Sequence, residues 1–228
     1  MNKLSTSNCI HSLVSIVTNN YFKIWKYCLI YLVVLGAVYS LNILLMLIIP
    51  GELIATLTMI FIACLLMLAP GMIIAFSHTM LSIARSEPAS LKRSLQVGYS
   101  QEMWWQAIIF VLLYTAGIMG GMLLLIIPGI YLSISWYSAV YYLCDKSGGP
   151  IDCLRKSRQA VKEAGFFRVF AYIVLMTLIV LALYMPFYFI PGFEYFGIII
   201  SLLLSPVSVM TPIALYLSIS KPEQIDSE

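Results

Sequence analysis

The sequence predicts an all-α, polytopic membrane protein of about six transmembrane helices, arranged as repeated Pro-Gly hairpins with amphipathic cytoplasmic helices. Three observations carry this. Of 228 residues, 61% are hydrophobic and 10% charged, against roughly 25% charged residues in soluble domains. Uncharged runs such as Trp105 to Ile127 are as long as the roughly 20 residues that a helix needs to cross about 30 Å of hydrocarbon. One signal punctuates these runs: Ile49-Pro50-Gly51, Ile127-Pro128-Gly129 and Ile190-Pro191-Gly192. Proline removes a backbone donor and biases the residue before it away from the helical region, while glycine tolerates the reversal, so each signal predicts a turn at the outer interface.

In chain order, residues 1–26 form a cytoplasmic segment whose Ile10, Leu13, Val14, Val17 and Phe22 recur at near-helical spacing, with Lys23 and Lys26 just before the membrane. This predicts an amphipathic helix on the inner surface. The opening Met1-Asn2-Lys3 stays polar through Asn20, so the apolar core of a signal peptide is not expected, and the first span is expected to act as an uncleaved signal.

Residues 27–84 read as the first hairpin: a span from Tyr27 to Ile49, the Pro50 turn, and a longer span from Leu53 towards Ala84 that Pro70 either kinks or splits. Residues 85–144 hold a polar interval, expected to be a second surface helix, and then the second hairpin around Pro128-Gly129. In residues 145–220 a turn at Asp145 to Pro150 precedes a basic amphipathic helix over 151–165, for which Pro150 suits the first turn and Gly165 the stop. A fifth span, Phe166 to Ile190, turns at Pro191-Gly192 into a sixth from Tyr195 to Ser220, interrupted by Pro206 and Pro212. Residues 221–228 are a short polar tail.

All 13 Lys and Arg fall in four intervals, 3–26, 85–93, 146–168 and 221, and none in the three Pro-Gly turns. The positive-inside rule therefore places both termini and both long loops in the cytoplasm, which requires an even number of spans. The repeated unit is a preamble, a span, a turn and a returning span; it is a parallel repeat, either three-fold or two-fold with an addition. A net charge of +3 is too small to point to nucleic acid. The cysteines Cys9, Cys28, Cys64, Cys144 and Cys153 show no paired C-x-x-C spacing, so neither a disulfide nor a zinc site is expected.

Few residues carry chemistry. His78 lies near the inner end of the second span beside Ser77 and Thr79, and an ionisable group at membrane depth is a candidate polar site or an interfacial residue bonded to a neighbouring hydroxyl. Glu52 and Glu194 follow two of the turns as an acidic mouth for a cation or as residues that keep the turns wet. The basic helix is the strongest lead: Arg155, Lys156, Arg158 and Lys162 either hold anionic phospholipid or only set topology, and Ser157 beside Arg158 could assist with a phosphate. Trp104-Trp105, Phe166-Phe167 and Tyr21-Phe22 read as interfacial aromatic belts. Gly117-x-x-x-Gly121 permits close helix contact. There is no Gly-x-Ser-x-Gly, His-Glu-x-x-His or phosphate loop, so no catalytic residue, metal or cofactor is expected.

The block from Leu123 to Ala171, with its Leu-Leu-Leu-Ile-Ile-Pro-Gly-Ile turn, Cys144-Asp145-Lys146 after the next run, and Leu154-Arg155-Lys156-Ser157-Arg158, resembles the YciC family of uncharacterised bacterial inner-membrane proteins. It is also similar to the membrane domain attached to some glycerophosphodiester phosphodiesterases. The resemblance covers the second half of the chain and implies a multi-span inner-membrane protein; the phosphodiesterase catalytic domain has no counterpart here. The expected function is non-enzymatic: binding of lipids, anionic phospholipid among them, or of a membrane-protein partner or a second copy. The alternative is a small transporter or channel with a path along the Pro-kinked spans 2, 5 and 6.

Overall fold

The computed structural model describes residues 6–48, 51–189 and 194–220, and these are helical and joined by turns, with no strand among them. The helices are α1 (Thr6–Ile48), α2 (Gly51–Ala84), α3 (Leu91–Gly98), α4 (Gln101–Leu124), α5 (Ile126–Ser135), α6 (Ala139–Cys144), α7 (Pro150–Ala164), α8 (Phe166–Phe189) and α9 (Glu194–Ile219). Four segments among the described residues are long and apolar enough to cross a membrane: Thr58–Ala84, Gln101–Leu124, Phe166–Pro186 and Ile199–Ile219. Hydropathy made these legible. The expected turns at Pro50 and at Pro191-Gly192 lie outside the described residues.

Burial divides the long helices. The core gathers Cys9, Leu13 and Ile24 of α1, Ile74 to Ile83 of α2, Met103, Ala107 and Phe110 of α4, most of α6, the inner stripe of α7, Val169, Tyr172 and Met176 of α8 and Met210 to Tyr216 of α9. The remaining lengths present leucine, isoleucine, valine and methionine outward, as at Leu32 to Leu35, Met59 to Leu68 and Leu178 to Leu183. A packed head thus carries apolar shafts. Helices are one of the few forms that can expose such shafts to lipid, because all their backbone groups are paired internally.

Several local details depart from the sequence reading. The amino-terminal helix and the expected first span are joined as α1 across a kink at the non-helical Asn20 (φ −125°, ψ 15°). On either side of the kink Cys9, Leu13 and Ile24 are buried, whereas Val14 and Phe22 of the expected apolar stripe are exposed. The bend resets the helical phase, so one stripe cannot run through it. Pro70 lies inside an unbroken α2, and Pro206 and Pro212 inside α9.

The break in the second hairpin falls at Leu125 (φ −162°, ψ 138°), three residues before Pro128, which sits in the first turn of α5. A first-turn N–H has no helical partner, so proline costs nothing there. The expected fourth span is divided too: α5 stops at Ser135, and α6 is a separate helix of 6 residues. Ser133, Ser135 and Ser138 crowd this point, and Ser133 Oγ donates back to Ile130 O at 2.8 Å. Such serine bonds compete with a continuous helix.

Close backbone approach fixes two helix pairs. A Cβ on Gly121 would lie 3.0 Å from Gly129 Cα, and Trp136 lies over Gly117, so the glycine pair of α4 serves contact with the returning chain. Across the other pair, Gly98 of α3 meets Gly71 O and Ala75 of α2. The surface helix expected after residue 85 is therefore α3, docked lengthwise on α2.

Candidate functional site

Helix α7 starts at Pro150 and ends at Gly165 (φ 93°). Its buried residues, Cys153, Leu154, Ser157, Val161 and Ala164, recur every three or four positions and face the core. The opposite face exposes Asp152, Arg155, Arg158, Gln159, Lys162 and Glu163. Arg155 and Asp152 lie 3.8 Å apart with both side chains exposed, a pairing that contributes little.

The expected cluster therefore separates. Arg155, Arg158 and Lys162 share the open face, while Lys156 is half-buried and donates to Ser147 O at 2.6 Å. Ser157 points the other way: it is fully buried, donates to Ser135 O at 2.8 Å and meets Ser138 Oγ at 3.1 Å. It is unavailable to a phosphate. Burial also pushes the Cys153 thiol up, so it remains protonated and unreactive at neutral pH.

Where α7 turns into α8, cations and rings converge. The Arg158 guanidinium lies 5.7 Å from the centre of the Tyr131 ring, within range of a cation–π contact. Tyr131 in turn lies 5.0 Å from Phe166, and Phe166 lies 5.7 Å from Phe167. Phe167 is 81% exposed and Arg168 beside it is exposed. An exposed phenylalanine flanked by Arg158, Lys162 and Arg168 suits the boundary between acyl chains and headgroups.

A second group was invisible to spacing because its members are about 60 and 70 residues apart. Arg85, just past α2, donates through Nη1 and Nη2 to Asp145 at 2.8 and 2.5 Å, and Tyr216 of α9 donates to the same carboxylate at 2.5 Å. This knot ties the ends of α2, α6 and α9. The hydrogen bonds that Arg85 donates to Asp145 raise the Arg85 pKa, so the guanidinium is charged throughout the accessible pH range. The groups satisfy one another, and neither Arg85 nor Asp145 presents an idle charge to a ligand.

His78 is brought to Ser94 of α3, Nδ1 to Oγ 3.1 Å. That contact links α2 and α3, so His78→Ala is expected to cost about 1 kcal/mol and to leave lipid binding unchanged, with Ser94→Ala adding little to it. A larger additional loss in the double variant would show that the two side chains act separately. The side chains of Glu52 and Glu194 lie outside the described residues.

A lateral groove of about 390 Å³ opens between α8 and α9, lined by Tyr137, Met176, Thr177, Leu181, Tyr184 and Thr211 among others. A smaller, polar cleft of about 200 Å³ lies between Glu102, Gln106 and Lys146. No group of His, Cys, Asp and Glu that could hold a metal occurs among the described residues. Comparison with family models, curated proteins and solved structures finds no match to the chain.

Proposed function

We propose that the protein is a multi-pass, non-enzymatic component of the bacterial inner membrane, with both termini cytoplasmic, that holds anionic phospholipid where α7 meets α8. The observation that carries this reading is the exposed row of Arg155, Arg158 and Lys162 leading to Phe167 and Arg168. Each cation near an anionic leaflet contributes about 1 kcal/mol, and the flanking rings set the depth. Asp152 and Glu163 on the same face offset part of the gain. The confinement of all 13 Lys and Arg to four intervals supports the orientation. The resemblance to the YciC family supports the compartment.

Neutralising Arg155, Arg158 and Lys162 together to Gln is expected to lower retention of anionic phospholipid about tenfold relative to zwitterionic lipid, since screened surface charges contribute less than their sum. Native mass spectrometry of protein released gently from its own membrane reads this directly. Equal retention by the wild type and the triple variant would remove the main support for the proposal. Lys156→Gln, which alters a half-buried contact, should instead lower stability and leave lipid selectivity alone.

The second reading, a transporter or channel, draws on the groove between α8 and α9. Among the described residues its lining comes from α8, α9 and Tyr137, with none from α2, so it supports a path along two of the three Pro-containing spans. Flux across liposomes carrying the protein tests that path.

A further inference from the structure

We propose that α4 and α5 form a re-entrant wedge that enters only the leaflet beside α7, with its tip among the acyl chains, and that the crossings are α1, α2, α8 and α9. The tip is Leu123-Leu124-Leu125-Ile126-Ile127, whose side chains are 68 to 85% exposed. Its depth follows from what the returning arm touches. Ser157 of α7 bonds Ser135 O and Ser138 Oγ at the end of α5, and Tyr131, four residues nearer the tip, touches Arg158 and Phe166.

The open face of α7 carries Asp152, Arg155, Arg158, Lys162 and Glu163. Charges in that number stay in water or among headgroups. The level of Ser135 is therefore at the water edge and that of Tyr131 at the headgroups. From Tyr131, at the headgroups, to Leu125 is six residues, about 9 Å of helix, which lies within one half of the roughly 30 Å of hydrocarbon. The outgoing arm agrees: Trp136 lies over Gly117, so only the last two turns of α4 rise beside α5, and Met103, Ala107 and Phe110 belong to the buried head. By contrast, α8 begins at Phe166, beside Tyr131, and continues for 24 residues, about 36 Å.

Several backbone groups at the tip are paired, which lessens the demand that hydrocarbon places on them. Leu125 N–H donates to Gly121 O at 3.1 Å and Gly129 N–H to Leu125 O at 3.5 Å, while Pro128 has no N–H to satisfy. The occupant is thus the acyl region of a leaflet whose headgroups face Arg158, Lys162 and Arg168, so anionic lipid is the complement. Four crossings keep both termini on one side, as six would. The inference rests on the membrane reading above; lipid retention by α7 is measured separately, so either can fail alone.

Ile127→Cys and Leu123→Cys test it, because both side chains project from the fold and their replacement disturbs no packing. Each is expressed in membranes and exposed from either side to a membrane-impermeant maleimide, with wild type giving the background from Cys9, Cys28, Cys64, Cys144 and Cys153 and Glu194→Cys reporting the start of α9. Each is also labelled with a small permeant bimane and reconstituted into phosphatidylglycerol and phosphatidylethanolamine vesicles that contain nitroxide lipids of known depth. The wedge predicts no maleimide labelling at 123 or 127 from either side and strongest quenching by nitroxide near mid-chain. Labelling from the face opposite α7 would overturn it in favour of a spanning hairpin. Labelling from the α7 face would overturn it in favour of a tip in water.

Discussion

Asp145→Ala is expected to destabilise the protein by about 2 kcal/mol, read as a drop of several degrees in the unfolding midpoint in detergent. The carboxylate accepts from both terminal guanidinium nitrogens of Arg85 and from Tyr216, so its removal leaves a cation and a hydroxyl without their acceptor at the junction of α2, α6 and α9. A fully buried pair would cost more, but the Arg85 and Asp145 side chains keep 34% and 24% exposure, and water compensates part of the loss. Arg85→Ala should cost about the same, and the double variant about as much as either single one, because the lost interaction is shared. Tyr216→Phe, which leaves the ion pair intact, should cost about 1 kcal/mol. Additive losses for Arg85 and Asp145 would mean that the pair does not form in the membrane.

Gly98→Leu is expected to cost about 3 kcal/mol, near the upper end of overpacking effects. Most crowded positions relax by turning a side chain. Here the atom met by a new Cβ is the carbonyl oxygen of Gly71, with Ala75 behind it, so relief requires α3 to lift from α2. That lift would also break the bond between His78 and Ser94. The variant should show faster proteolysis at 85–100, in the polar stretch around α3, and a lower unfolding midpoint. Gly120→Leu, on the open side of α4 where a Cβ meets nothing within 4 Å, is the matched control and should be nearly neutral. A neutral Gly98→Leu would show that α3 is not docked as described.

Much of this architecture was legible because its causes are local. Charge-free length marked the helices around 101–124 and 166–189, and Pro150 with Gly165 framed α7. Proline was over-read: it signals a break only where its missing donor would matter, and in the first turn of α5 it does not, so the chain bends at Leu125 instead. The division of the fourth span follows from serines that bond α7, a tertiary contact that hydropathy does not encode. The inward position of Ser157 was available in principle, since Leu154, Ser157, Val161 and Ala164 complete one helical stripe. The knot of Arg85, Asp145 and Tyr216 had no sequence signal, because three separate loops and helix ends converge on it. As for the site, the basic residues of α7 could be named from the sequence, but the rings that accompany them could be assigned to one corner only once α5 and α8 were seen to meet.

Photocrosslinking reads out whether the corner of α7 and α8 holds anionic phospholipid. A phosphatidylglycerol analogue with a photoreactive headgroup is incorporated into membranes containing the protein, irradiated, and the adducts mapped by peptide mass spectrometry. Adducts are expected to concentrate within 151–168, to be competed by excess unlabelled phosphatidylglycerol and not by phosphatidylcholine, and to be lost from the Arg155, Arg158 and Lys162 triple variant. Adducts spread evenly over the apolar shafts, or undiminished in the triple variant, would contradict it.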